Sequence, residues 1–314
     1  MPRPQLNPDV YLKKLEWTVI RRLDGLLQGN YRTLFRGQGL DLADIREYQY
    51  GDDVRHIDWN VTARLQAPYV REYHEDREIN AWFLLDLSSS VDFGSEVKKQ
   101  SVSGGFVAVL ARLLTRQGNR VGAILYGDSI DQVIPARGGR RHVLHLMHAL
   151  QARPELPTSP AGTDLNDLLQ GAFGMMPRRS LVFLVSDFIS APGWEKPLAQ
   201  LAQRHEVIAV RLYDPLESEL PDVGMVVMQD AETGEQLFVD THDRKFRERF
   251  AAAAAKRENA LRKGFARAGV DVLELCTDDD LVDAIRRFAE LRRRRSRVAG
   301  AMSGAAAGHL QVKA

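Results

Sequence analysis

The string Trp82-Phe83-Leu84-Leu85-Asp86-Leu87-Ser88-Ser89-Ser90 is an apolar run that ends in Asp-x-Ser-x-Ser. A carboxylate followed at alternate positions by two hydroxyls gathers hard oxygen donors at one point of the chain. A second apolar run, 181–185, also ends in a polar pair, Ser186-Asp187, and Gly162-Thr163-Asp164 stands at the start of a helical stretch. Asp86, Ser88, Ser90, Thr163 and Asp187 together form an oxygen-only donor set. Such a set suits Mg²⁺, with Mn²⁺ or Ca²⁺ as alternatives, and not Zn²⁺, which prefers nitrogen and sulfur. Mg²⁺ keeps several waters, so the expectation is carboxylates acting through water and hydroxyls binding directly. Because hydroxyl ligands bring no charge, the ion stays electrophilic and can take an Asp or Glu from a partner protein. The same residues also have plain structural uses: Asp and Ser commonly end strands, and Thr163 could cap the helix over 164–175.

These residues need elements that bring strand ends together. Short apolar runs at 79–85, 121–126, 181–185, 207–212 and 270–275 read as strands. Longer stretches at 97–116, 141–152, 164–175, 195–204, 242–267 and 279–295 carry helical periodicity. Strands separated by helices imply right-handed crossovers and a mostly parallel α/β sheet covered on both faces. In such sheets ligands bind at the carboxyl ends of the strands, where neighbouring loops diverge. That places Asp86, Ser88 and Ser90 on a solvent-facing rim with Asp187. Residues 132–135 read as a short edge strand, and 223–228 with 236–239 as a hairpin inserted at about 221–241.

Upstream, Asn7-Pro8-Asp9 reads as a cap and first turn, followed by apolar residues from Tyr11 to Leu27 at helical spacing. Residues 31–80 are dense in aromatics, so residues 1–77 are expected to form a folded segment packed on a main domain over 78–295. Within it, Asp52, Asp53, His56 and Asp58 fit no calcium loop, and Trp59 is expected to be buried with its indole N–H paired. Residues 296–314 hold no aromatic and little to bury, which predicts a disordered tail. His142, His145 and His148 spread over about a third of a helix circumference and read as a solvated face. The arginines at 286, 287, 292–295 and 297 could bind a phosphate backbone, or could be a charged helix end. Gly104-Gly105 inside a helix suggests close packing on the sheet.

The 314 residues include 43 Lys plus Arg against 42 Asp plus Glu, so no global charge draws the chain to nucleic acid or membrane. The single cysteine, Cys276, cannot form an internal disulfide, which fits a reducing compartment and makes the cytoplasm the expected location. No signal peptide and no membrane-spanning run is read. The sequence has no Gly-x-x-x-x-Gly-Lys, no Gly-x-Ser-x-Gly and no His-Glu-x-x-His, and no general base stands beside the serines. The expectation is therefore a binding module rather than an enzyme. The alternatives are a metal-assisted phosphohydrolase using Asp86, weakened by Ser88 standing where Asp-x-Asp would need an acid, and nucleic-acid binding through the arginine run.

Asp86-x-Ser88-x-Ser90, Thr163 and Asp187 resemble, in type, order and approximate spacing, the metal-ion-dependent adhesion site of the von Willebrand factor A fold. Upstream, Gly39-Leu40-Asp41-Leu42, Arg46-Glu47-Tyr48, Gly51 to Trp59, Ala63-Arg64 and Tyr69-Val70-Arg71-Glu72 resemble the bacterial family called domain of unknown function 58. That family continues directly into an A-type domain, and the resemblance runs from about residue 10 to 295. It implies a von Willebrand factor A-like fold with a Mg²⁺-type site at the five residues. It also implies a role as partner or adaptor of a MoxR-type AAA+ ATPase.

Overall fold

The computed structural model describes residues 45–49, 54, 57, 59–71, 79–95, 97–152, 163–229 and 236–292. The predicted N-terminal helix, Gly162, the hairpin turn at 232–235, the tail over 296–314 and most of the Gly51 to Trp59 cluster lie outside them. The first elements are β1 (Ile45–Glu47), α1 (Trp59–Leu65) and β2 (Tyr69–Arg71), with β1 and β2 paired antiparallel. Trp59 is 70% exposed, contrary to the sequence expectation. It opens a helix of only seven residues, beside a two-stranded ribbon that offers little surface to cover an indole.

The main sheet is built from β3 (Asn80–Asp86), β4 (Arg120–Tyr126), β5 (Ile130–Arg137), β6 (Leu181–Ser186), β7 (Glu206–Tyr213) and β10 (Asp271–Cys276). Their order across the sheet is β10-β7-β6-β3-β4-β5, parallel throughout except for antiparallel β5 at one edge. The helices are α2 (Lys99–Arg116), α3 (Arg140–Gln151), α4 (Leu165–Met175), α5 (Glu195–Arg204), α6 (Arg244–Ala268) and a last helix, α7, over 281–292. This is the α/β class expected, with boundaries within two or three residues of the sequence reading at nearly every strand and helix. β8 (Met225–Gln229) and β9 (Gln236–Asp240) form a separate hairpin between β7 and α6.

Residues of β3 alternate between two cores, which is why its apolar run is unbroken. Ala81, Phe83 and Leu85 face α2, α3 and α7, while Trp82 and Leu84 face α4, α5 and α6. Phe83 stacks on Phe183 at 5.2 Å, and Phe106 of α2 meets Phe183 edge-on at 5.8 Å. On the opposite face Phe188, Trp194 and Phe265 form an aromatic triangle with centroids 4.7 to 5.3 Å apart. The α6 backbone comes close to this triangle at Gly264, where a Cβ would stand 3.0 Å from the Trp194 ring. Gly104 has no such reason. A Cβ there would meet nothing within 4 Å, so the close packing expected of it is absent. Among the described residues no helix is long and apolar enough to cross a membrane.

His205 links α5 to β7: its Nδ1 accepts from the Ser180 N–H at 3.2 Å, and its buried Nε2 has no partner. The neutral ring therefore carries its proton on Nε2, and charging it would require breaking the bond to Ser180. Burial, reinforced by the charges of Arg204 and Arg179, holds its pKa below the ordinary histidine value.

Two outcomes are expected. Gly104→Ala stabilises the fold by about 0.5–1 kcal/mol, measured by urea unfolding, because it adds helix propensity without a clash. The contribution of His205 to stability is lost as pH drops below about 6.5, because the unfolded chain takes up its proton more readily. His205→Asn keeps the acceptor for Ser180 and flattens that part of the pH profile.

Candidate functional site

The sheet order reverses between β3 and β6: from β3 the chain moves outward to β4 and β5, then returns to β6 and continues to β7 and β10 on the other side. The two strand ends flanking this reversal carry Asp86 and Ser186-Asp187. Each carboxylate first serves its own turn. Asp86 Oδ1 accepts from Ser88 N–H at 3.0 Å, and Asp187 Oδ1 accepts from Ile189 N–H at 3.0 Å. Ser186 then ties the strands together, its hydroxyl donating to Asp86 Oδ2 at 2.6 Å while accepting from Phe188 N–H at 2.8 Å.

Ser88 and Ser90 lie at the start of a single 3₁₀ turn, Ser89–Asp92, and their hydroxyl oxygens stand 3.1 Å apart. Ser88 holds the cap position but its side chain caps nothing; its hydroxyl instead shares a hydrogen bond with that of Ser90. Thr163 is likewise not the cap of α4. That role belongs to Asp164, which accepts from Asn166 N–H at 2.9 Å. Thr163 is placed by its backbone: its carbonyl accepts from Ala191 N–H at 3.1 Å, and Leu165 N–H donates to Ser190 Oγ at 2.9 Å. These bonds stitch the start of α4 to the loop that follows Asp187. All five predicted residues are therefore at one end of the sheet, and all five are buried. The rim is more enclosed than expected, with Asp86 0% exposed. Its carboxylate lies beneath the 3₁₀ turn and the Ser186 hydroxyl instead of facing water.

That burial, together with the nearby charge of Asp187, raises the Asp86 pKa from 3.8 to about 6, against the hydrogen bonds from Ser186 and Ser88. Asp214, at the end of the next strand, shows the opposite outcome. Burial would raise its pKa too, but Ser95 N–H and Oγ, Thr277 Oγ1 and Leu216 N–H all donate to it. Together they hold it below the usual carboxylate range.

Sequence reasoning missed Lys99, the first residue of α2. It is 1% exposed, and its Nζ lies 2.6 Å from Asp187 Oδ2 and 2.7 Å from Glu217 Oε1. Burial opposes its charge, but Asp187 and Glu217 more than compensate and keep its pKa above the ordinary lysine value. One signal was present. α2 starts with a lysine and has no acidic residue in its first turn, which runs against the helix dipole unless carboxylates wait nearby.

As a metal site, the set contains only oxygen. No group of three His, Cys, Asp or Glu able to hold a metal occurs among the described residues. The fit rests on the hydroxyls: neighbouring oxygens in an octahedral Mg²⁺ shell stand about 3 Å apart, and Ser88 Oγ and Ser90 Oγ have that spacing. Asp86, with its raised pKa, is a carboxylate that gains from a nearby cation. Asp187 fits less simply, because one of its oxygens carries Lys99.

Other candidates do less. His145 and His148 are exposed, as a solvated face requires, while the His142 ring bonds the Val121 carbonyl at 2.8 Å. Of the arginine run, Arg286 and Arg287 pair with Asp283 and Asp279, and Arg292 pairs with Glu206 and Asp271.

The sequence profile of the family described as "Protein of unknown function DUF58" matches residues 44–260. Uncharacterised proteins of Mycobacterium tuberculosis and Mycobacterium bovis are each 37% identical over 301 residues, covering 95% of this chain and 91% of theirs. Among solved structures, a conserved hypothetical protein, BatB, of Bacteroides thetaiotaomicron aligns over 69% of this chain and 99% of its own, with 12% identity and a TM-score of 0.43. The SpRpn10 von Willebrand factor A domain aligns over 66% of this chain and 94% of its own, with 13% identity and a TM-score of 0.39.

Asp86 yields a direct expectation. With its pKa raised to about 6, the ionised carboxylate is disfavoured by folding above that pH. Asp86→Asn therefore stabilises the metal-free protein at pH 7 by about 3 kcal/mol, since each tenfold change in proton affinity between folded and unfolded chains is worth about 1.4 kcal/mol. The gain vanishes below about pH 4, where the acid is protonated in both folded and unfolded chains. Chemical denaturation of the two proteins across this range checks it.

Proposed function

This chain belongs to the DUF58 family, and from the geometry of its strand ends we propose that it is a metal-dependent protein-interaction module. In this reading Asp86, Ser88, Ser90, Thr163 and Asp187 hold one Mg²⁺-type cation, with Mn²⁺ or Ca²⁺ as alternatives. The ion, when bound, supplies an electrophilic position for an Asp or Glu side chain of a partner protein. The observation that carries the reading is the pair of serine hydroxyls 3.1 Å apart beside the buried, raised-pKa carboxylate of Asp86.

The chain's own residues do the preparatory work. Ser186 and the Ser88 amide orient Asp86, the 3₁₀ turn presents the two hydroxyls, and the loop after Asp187 holds the Thr163 backbone through the Ala191 amide. A partner carboxylate completes a shell that neutral hydroxyls leave short of negative charge, and direct coordination offsets the loss of its water. The family resemblance supports a MoxR-type AAA+ ATPase, or that ATPase's client, as the partner, and the single cysteine, Cys276, supports the cytoplasm as the place. The phosphohydrolase reading draws no support from an Asp86 whose oxygens are both engaged. The nucleic-acid reading draws none from described arginines that are already paired.

The test is capture of a co-expressed MoxR-type ATPase by the full chain in Mg²⁺, in chelator, and with Ser88→Ala or Thr163→Ala. Capture is expected in Mg²⁺ or Mn²⁺ only, with each folded variant reduced at least about tenfold, the usual scale for losing a metal-linked group. Equal capture in chelator and by Asp86→Ala would show that no metal bridges the two proteins.

A further inference from the structure

Lys99 is the one buried lysine among the described residues, and it sits where a cation is least welcome on a helix, at its first position. Its ammonium has three donors, and two of them serve Asp187 and Glu217 at 2.6 and 2.7 Å. Glu217 is firmly placed. It ends the 3₁₀ turn Pro215–Glu217, whose cap Asp214 is held by Ser95, Thr277 and Leu216. Asp187 is different. Its other oxygen is committed only to its own turn, and it is the single carboxylate that Lys99 shares with the neighbourhood of Asp86.

We infer that Lys99 is a tethered cation that competes with the divalent ion for Asp187. This rests on the metal reading of the rim. Without an ion the ammonium neutralises Asp187 and lets two carboxylates be buried side by side. When an ion draws on Asp187, the like charges of ion and ammonium oppose each other, and Lys99 falls back on Glu217 alone. The ion's affinity is lowered by the strength of the Lys99–Asp187 pair. Occupancy then depends on the partner's carboxylate arriving with the ion, which couples the two binding events.

The test is calorimetric titration of the full chain with Mn²⁺ alone, in the natural sequence and in Lys99→Gln, Glu217→Gln and the double variant. Lys99→Gln should bind about tenfold tighter, within the range of ordinary coupling between sites. Glu217→Gln should bind more weakly, because the displaced ammonium has nowhere to go. In the Lys99→Gln background the same substitution should cost much less, since no ammonium remains to be received. Should Lys99→Gln fail to fold with two uncompensated carboxylates, the double variant, which leaves only Asp187, should still bind tighter than the natural chain.

Lys99→Gln, or the double variant in its place, binding no tighter than the natural chain overturns the competition while leaving the metal reading intact. Glu217→Gln losing equally in both backgrounds also overturns it. Binding in Lys99→Gln but not in the natural chain supports the competition and leaves the natural site dependent on the partner's carboxylate. Absence of binding in every variant overturns both.

Discussion

Burying Asp86 and Asp187 together at the ends of adjacent parallel strands is the constraint around which this end of the molecule is organised. Neither carboxylate can reach bulk water, and the charge of Asp187 disfavours that of Asp86. The surrounding residues answer this in layers. Turn amides take one oxygen of each acid, Ser186 bridges the strands to the second oxygen of Asp86, and Lys99 supplies a full positive charge to Asp187. The loops, the 3₁₀ turn and the first residue of α2 all owe their placement to these two acids.

Asp214 shows that the same backbone position can be made purely structural. It too ends a central strand and is fully buried, yet four donors converge on it and its charge is settled within the fold. Asp86 receives fewer donors and has an acidic neighbour, so it is left with an unmet electrostatic need. Of two carboxylates on equivalent strand ends, Asp86 is kept in a costly state and Asp214 in a comfortable one, which marks Asp86 as the place where stability has been given up.

The sheet and most of the site could be read from the sequence because they depend on short-range patterns. Unbroken apolar runs of six or seven residues identify buried parallel strands, and the polar residue that ends each run marks the rim, which is how Asp86, Ser88, Ser90 and Asp187 were found. The alternative use of Thr163 as a cap lay one residue away from the real one, because Thr163 and Asp164 are both good caps and only backbone geometry chooses between them. Lys99 left only a faint signal, for a different reason. Its partners lie 88 and 118 residues away in sequence, and in composition it is one of two adjacent lysines on a helix start. Trp59 misled because, among the described residues, only a seven-residue helix and a two-stranded ribbon stand near it.

Phe188, the residue after Asp187, has φ of 59°, a left-handed conformation that a bulky side chain adopts at a cost of about 1–3 kcal/mol. It is held there by the ring contacts with Trp194 and Phe265 on one face of the sheet, whereas Lys99 pulls on Asp187 from α2 on the other. Asp187 is thus a seam between the two halves of the core. Loosening either the aromatic triangle or α2 shifts the same carboxylate, so the rim can be detuned by substitutions in side chains that never touch it.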